Sequence, residues 1–138
     1  MRYMLDTNTV SYLLKNQYPS IKQHLQQTAL STICISSITE AELLRGIKKK
    51  PEAVNLKKLV DAFLIRTDVL PWDSQVAMEY ASFRTACKHE GKSLSAMDML
   101  IASHSLAVGA TLISNDKAFY QVEHLLTLED WTVYNVSG

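Results

Sequence analysis

The sequence predicts an α/β domain built on a mainly parallel sheet flanked by helices. Three observations carry this expectation. Short apolar runs of strand length recur along the chain, each is followed closely by a polar capping residue or a charge, and segments of helical period lie between them. At 138 residues, 47% hydrophobic and 20% charged, the chain has the size and composition of one globular domain spanning 1–138. No Gly/Ser-rich linker, internal repeat or low-complexity tract divides it.

The elements follow in order. Tyr3–Leu5 reads as a first strand, and Val10, Leu13 and Leu14 mark the apolar face of the helix after it. Ile33–Ile35 is a second strand, followed by a helix carrying Leu43, Leu44 and Ile47. Val69–Leu70 forms a third, and Val76, Tyr80, Phe83 and Cys87 fall on one face of a long helix. Leu100, Ile101, His104 and Val108 mark another helix, before a fourth strand at Thr111–Ile113. In the tail between Leu125 and Tyr134 a further strand is expected around Trp131–Tyr134. Strand order is not readable from these patterns. Ligands of parallel sheets bind beyond the carboxyl ends of the strands, which directs attention to the residues just after each run.

Fourteen Lys+Arg balance fourteen Asp+Glu, a formal net charge of zero. That argues against binding nucleic acid by bulk positive charge, but not against a nuclease that meets phosphate through a bound metal. Cys34 and Cys87 lie far apart in apolar surroundings with no zinc-type spacing, so they read as free buried thiols in a reducing compartment. No apolar run approaches membrane-spanning length, and Asp6 interrupts any leader-like stretch, so the expected location is cytoplasmic, with no membrane partner.

Acids stand at the expected functional edge. The first strand ends in Asp6, followed by Thr7-Asn8, and the fourth runs into Ser114-Asn115-Asp116. The second runs into a helix containing Glu40 and Glu42, and Asp98 interrupts the apolar stretch 94–101. Each has a capping explanation. Asp6 and Asp116 suit helix N-caps, the latter for a short helix at Lys117-Ala118-Phe119, and Ser37-x-x-Glu40, Thr39-x-x-Glu42 and Ser95-x-x-Asp98 fit capping boxes. Together they suggest more, because four carboxylates converging on one edge repel one another. A hard divalent cation such as Mg²⁺ or Mn²⁺, which prefers carboxylate and water oxygens, relieves that repulsion. Such a site usually acts on phosphates, where the cation polarises the phosphoryl oxygen and activates water for in-line attack.

At these residues the chain resembles the PIN domains, specifically the VapC toxins of bacterial toxin–antitoxin pairs. The resemblance runs through Tyr3-Met4-Leu5-Asp6-Thr7-Asn8, then 35–43 with Gly46 four residues beyond Glu42, then Gly91-Lys92-Ser93-Leu94 with Asp98 and Ile101-Ala102. It continues in 112–116 with Phe119 and closes at Leu128-Glu129-Asp130-Trp131, spanning nearly the whole chain. It implies a Rossmann-like PIN fold and an acidic pocket for Mg²⁺ or Mn²⁺, formed by Asp6, Glu42, Asp98 and Asp116 as catalytic and metal-holding residues. Asn8 and Ser114 match the polar residues that support the acids. The implied activity is endoribonucleolytic cleavage, often of structured RNA such as tRNA, leaving a 5′-phosphate and a 3′-hydroxyl. The implied partners are a VapB-type antitoxin that blocks the pocket, a second copy in a homodimer, and operator DNA only through the antitoxin complex. Glu40 and Glu42, two residues apart on a helix, point about 200° apart, so only Glu42 serves as the ligand. A DNA or flap nuclease on the same acids, and a catalytically silent protein-binding module, are the alternatives.

The remaining signals are weaker. Gly91-Lys92-Ser93 resembles the end of a P-loop, but Ala86 stands where the earlier glycine belongs. Asp6-Thr7-Asn8 lacks the second aspartate of a phosphatase nucleophile motif, and His24, His89, His104 and His124 are scattered, with His104 placed as a packed, hydrogen-bonded residue. Arg45 and Lys48-Lys49-Lys50, followed by Lys57-Lys58, form the one basic concentration, suited both to a solvated helix end and to RNA phosphates at the rim of the pocket. Arg84 and Lys92 are further candidates for phosphate contact.

Overall fold

The computed structural model describes residues 1–133. Its sheet has five strands, β1 Tyr3–Leu5, β2 Ile33–Ser36, β3 Asp68–Leu70, β4 Thr111–Ile113 and β5 Leu128–Glu129. They lie in the order β3-β2-β1-β4-β5, and every neighbouring pair is parallel. The helices are α1 Thr7–Leu14, α2 Pro19–Gln26, α3 Ser37–Lys49, α4 Val54–Arg66, α5 Ser74–His89, α6 Ala96–Ala107 and α7 Lys117–Tyr120. The α/β reading and the first four strands hold. The last strand does not fall at Trp131–Tyr134: it is Leu128–Glu129, Trp131 lies in a turn beyond it, and Tyr134 is outside the described residues. Trp131 supplies core volume instead, packed against Tyr3 and stacked on His24. Helices α2 and α4 have no counterpart among the sequence expectations. Helix α4 carries a helical period in its buried and partly buried residues Leu56, Val60, Phe63 and Leu64, a signal the sequence reading passed over, whereas α2 offers only the pair Ile21 and Leu25.

Alternation along the strands builds two cores. Met4, Cys34 and Leu112 point into the layer made with Phe83, Ala102 and Phe119 of α5, α6 and α7. Leu5, Ile33, Ile35 and Ile113 point the other way, against Val10, Ile21, Leu43 and Val60 of α1 to α4. The sheet is therefore buried on both faces, which explains why its strands read as unbroken apolar runs. Cys34 and Cys87 are free and buried, and burial pushes the Cys34 thiol up to about 11.

One buried bond ties the layers together behind the functional edge. His104 of α6 is fully buried, and its Nδ1 lies 2.7 Å from the hydroxyl of Ser36 at the end of β2. Burial pulls the imidazole below its ordinary range, so the ring is neutral, as suits the packed role expected of it. Its Nε2 has no hydrogen-bond partner among the described residues. The same Ser36 hydroxyl accepts from the Ile38 amide as the N-cap of α3. The expected capping boxes at Ser37 and Thr39 are thus absent, because the N-cap is Ser36, ahead of both, and Ser37 and Thr39 lie within the helix. Ser37 accepts from the Trp72 amide, and Trp72 Nε1 donates to the Leu100 carbonyl, so the loop after β3 straps α3 to α6. Among the described residues no helix is long and apolar enough to cross a membrane.

Ser36→Ala removes the cap and the His104 partner together. It is expected to lower unfolding free energy by about 1.5–3 kcal/mol, read as a shift in the urea midpoint with the slope unchanged.

Candidate functional site

Chain direction sets the position of the site. From β1 the chain builds outward through β2 to β3, then returns to the other side of β1 for β4 and β5. The crevice of such a sheet opens at this reversal, between the carboxyl ends of β1 and β4. Asp6 follows β1 and Ser114 follows β4.

Asp6 is 4% exposed. Its Oδ1 accepts from the Thr9 amide at 2.8 Å, so it is the N-cap of α1, as one of its two readings required. The Ser114 side chain also favours its charged form, while the Thr9 hydroxyl donates to the Ile113 carbonyl at 3.1 Å. Burial raises its pKa above the usual carboxylate range; Ser114 and Thr9 pull it back in part, and the charge of Asp98 adds to the rise. Ser114 is itself buried, and its hydroxyl also accepts from the Asp116 amide at 3.0 Å, so it braces two acids. Asp116 caps α7, accepting from the Ala118 amide at 3.0 Å.

Asp98 is half-buried in the first turn of α6, whose N-cap is Ser95. Burial raises its pKa, the Ser95 bond lowers it, and Asp116 and Glu42 both raise it. These couplings make Asp98 the hub through which the four acids feel one another. Glu42 lies in the second turn of α3 rather than at the helix start, and its Oε1 accepts from the Thr7 hydroxyl at 2.6 Å. Glu40 lies in the first turn, where its charge favours the helix dipole.

A cleft of about 90 Å³ is lined by Asp6, Thr7, Asn8, Glu42, Asp98 and Ile101. Three of the four expected acids thus share one cleft with Asn8, while Asp116 does not line it and reaches Asp98 through its charge. The hard, all-oxygen donor set fits Mg²⁺ or Mn²⁺ in kind. Among the described residues, no three His, Cys, Asp or Glu side chains are gathered closely enough to hold an ion as they stand. Each carboxylate is engaged within the protein: Glu42 accepts from Thr7, and Asp6 from the Thr9 amide, with Ser114 beside it. Sequence reading missed Thr7 and Thr9, although Thr7 adjoins Asp6 in the opening motif and a hydroxyl there is a ready carboxylate donor.

The cations divide. Arg45 and Lys49 line a groove of about 370 Å³ that also contains Thr7, Glu42 and Met97. Lys48 lies on the same helix but lines neither this groove nor the acid cleft. Arg84 and Lys92 belong to a different groove, of about 360 Å³, with Lys88 and Met99, and Arg84 donates to the Tyr80 hydroxyl. Lys57 is paired with Asp61 at 2.7 Å.

The folded chain holds the Asp6 proton more tightly than the unfolded chain does. Stability without divalent metal therefore falls as pH rises from about 4, the unfolded carboxylate value, through the raised folded value. Asp6→Asn keeps the cap oxygen and removes the charge. In EDTA at pH 7 it is expected to raise Tm and to flatten that part of the profile, with little change below pH 4; thermal unfolding by circular dichroism across pH checks both.

The PIN domain family model matches residues 3–125. The chain is 35% identical over 133 residues to Ribonuclease VapC2 of Rickettsia felis, covering 95% of this chain and 98% of that protein. It is 30% identical over 131 residues to the tRNA(fMet)-specific endonuclease VapC of Salmonella typhimurium, covering 95% and 98%. Among solved structures, VapBC2 from Rickettsia felis bound to a DNA fragment from its promoter superposes with a TM-score of 0.86 at 34% identity, covering 95% of this chain and 99% of that one. DNA-bound VapBC from Salmonella typhimurium gives 0.86 at 30% identity, covering 95% and 98%.

Proposed function

The chain belongs to the PIN-domain family, and we propose that it is the endoribonuclease toxin of a toxin–antitoxin pair, a single cytoplasmic domain over 1–138. The convergence of Asp6, Glu42 and Asp98 on one cleft at the sheet's reversal point carries this reading. The relatives named as ribonucleases and as a tRNA(fMet)-specific endonuclease support RNA, tRNA included, as the substrate. The VapBC structures support a VapB-type antitoxin as inhibitor, with operator DNA engaged by the complex. A homodimer completes the proposed partners.

Asp6, Asp98 and Glu42 would hold Mg²⁺ or Mn²⁺, with Asp116 contributing through its charge beside Asp98. When bound, the cation supplies neutralising charge for the phosphodiester and a water acidic enough to attack it. The chain's own residues do the rest. Ser114 and Thr9 fix the Asp6 carboxylate, so its orientation does not depend on a flexible rotamer. Thr7 holds Glu42 at the mouth of the cleft, where it is placed to orient the attacking water or to ligate. Arg45 and Lys49 stand in the adjoining groove as the phosphate contacts the geometry favours, with Lys48, Arg84 and Lys92 further out. No side chain is required as a covalent nucleophile, and hydrolysis leaves a 5′-phosphate and a 3′-hydroxyl.

Cleavage of RNA is expected to require Mg²⁺ or Mn²⁺, to stop in EDTA, and to fall about 100-fold or more in Asp98→Asn and in Glu42→Gln. Gel analysis of RNA and single-stranded DNA with the purified chain decides this. RNA left intact by the folded, antitoxin-free protein with metal would refute the assignment, and DNA cut in preference would move it to the DNA nuclease class. Arg45→Ala with Lys49→Ala is expected to weaken RNA binding and to reduce the slope of log K against log salt by about 0.7 per lost contact.

A further inference from the structure

Gly46 occupies the interior of α3, where glycine is the poorest helix former short of proline. Packing within the chain does not ask for it. A β-carbon built on Gly46 meets no atom within 4 Å, and its backbone is not in the left-handed region that favours glycine. Instead, two grooves meet on it. One, of about 190 Å³, runs between α1, α3 and α4 past Lys15 and Lys50. The other, of about 370 Å³, runs past Arg45 and Met97 toward the start of α6. Thr7, Glu42, Gly46 and Lys49 line both, so the two grooves adjoin in one trough at Gly46, a single helical turn beyond Glu42.

We infer that Gly46 is a saddle over which the sugar–phosphate backbone of the RNA substrate crosses α3 on leaving the acid cleft. The inference rests on the ribonuclease reading above and names the path of the strand. Charge selects the occupant: Lys15, Arg45, Lys49 and Lys50 flank the trough, and the one acid in it, Glu42, accepts a hydrogen bond from Thr7. Four cations along a groove suit a polyanion, and the missing side chain lets its backbone approach the helix closely.

The test is fluorescence anisotropy of labelled, unfractionated tRNA, measured in an Asp98→Asn background to suppress cutting. Gly46→Leu introduces a strong helix former that fills the trough without weakening α3, and is expected to weaken tRNA binding about tenfold or more. Gly46→Ala weakens it less and raises Tm by about 3 °C, so stability and binding move in opposite directions. In the otherwise wild-type chain, Mn²⁺ affinity by calorimetry stays within about twofold for both variants, separating an obstructed path from a damaged acid cleft. Unchanged tRNA affinity in a folded Gly46→Leu protein overturns the inference, and if that variant does not fold, unchanged affinity in Gly46→Ala does so. Loss of antitoxin binding with tRNA affinity retained also overturns it, by assigning the trough to a protein partner. A wild-type chain that leaves RNA intact removes the functional reading and the saddle with it. Cleavage by wild type matched by Gly46→Leu removes the saddle alone.

Discussion

A carboxylate buried at the carboxyl end of the central strand is the constraint on which the rest of the site depends. Asp6 is almost fully covered, and its ionised form is tolerable only because donors surround it. The Thr9 amide comes from the first turn of α1, and the Ser114 hydroxyl comes from the neighbouring strand end. Helix start, strand pairing and charge placement are thus one arrangement: moving any of the three leaves a buried charge short of partners. The same arrangement explains why the capping and ligand readings of these acids were never exclusive. Asp6 and Asp116 both use one oxygen as a cap acceptor, leaving further lone pairs on the same carboxylate.

The acids arrive from four separate segments, held in register behind the cleft by groups that carry no charge. Ser36 bonds His104, and the Trp72 loop bonds both Ser37 and the Leu100 carbonyl. These contacts join α3, which carries Glu42, to α6, which carries Asp98. A neutral imidazole serves here where a charged residue would compete with the acids in front. Overall charge is balanced, but it is not mixed evenly: cations along α1 and α3 border the mouth of an acidic cleft. Formal neutrality therefore says little about the field that a phosphodiester meets on approach.

Strands buried on both faces are legible as apolar runs, as β1, β2 and β4 are, while the edge strand β3, which begins at exposed Asp68, is legible only in Val69–Leu70. The terminal strand was misplaced because Trp131 and Tyr134 have strong strand propensity, whereas β5 is two residues long and exists through pairing with β4. Helix α2 offers too few apolar positions to show a period, while the period of α4 at Leu56, Val60, Phe63 and Leu64 was legible and was missed. Within the site, the identity of the acids was readable, since carboxylates beside apolar sequence stand out. The hydroxyls that hold them were not. Thr7 reaches Glu42 across thirty-five positions, and no local signal announces such a bond. The split between Arg45 and Lys49 on one groove and Arg84 and Lys92 on another likewise follows from helix rotation and packing, not from the spacing of basic residues.

The pairing of Tyr3 with Thr111 has a consequence for synthesis. One edge of the first strand pairs early, with β2, but its other edge must wait for a partner more than one hundred residues later. A contact of that sequence separation cannot form while the second half is still being translated. Ser114, which braces Asp6, emerges with that partner. A ribosome carrying a partly finished chain therefore holds no assembled acid cleft, and the messenger and transfer RNAs around it are not exposed to a working nuclease. Release of a nearly complete polypeptide becomes the moment at which danger to the translating cell begins.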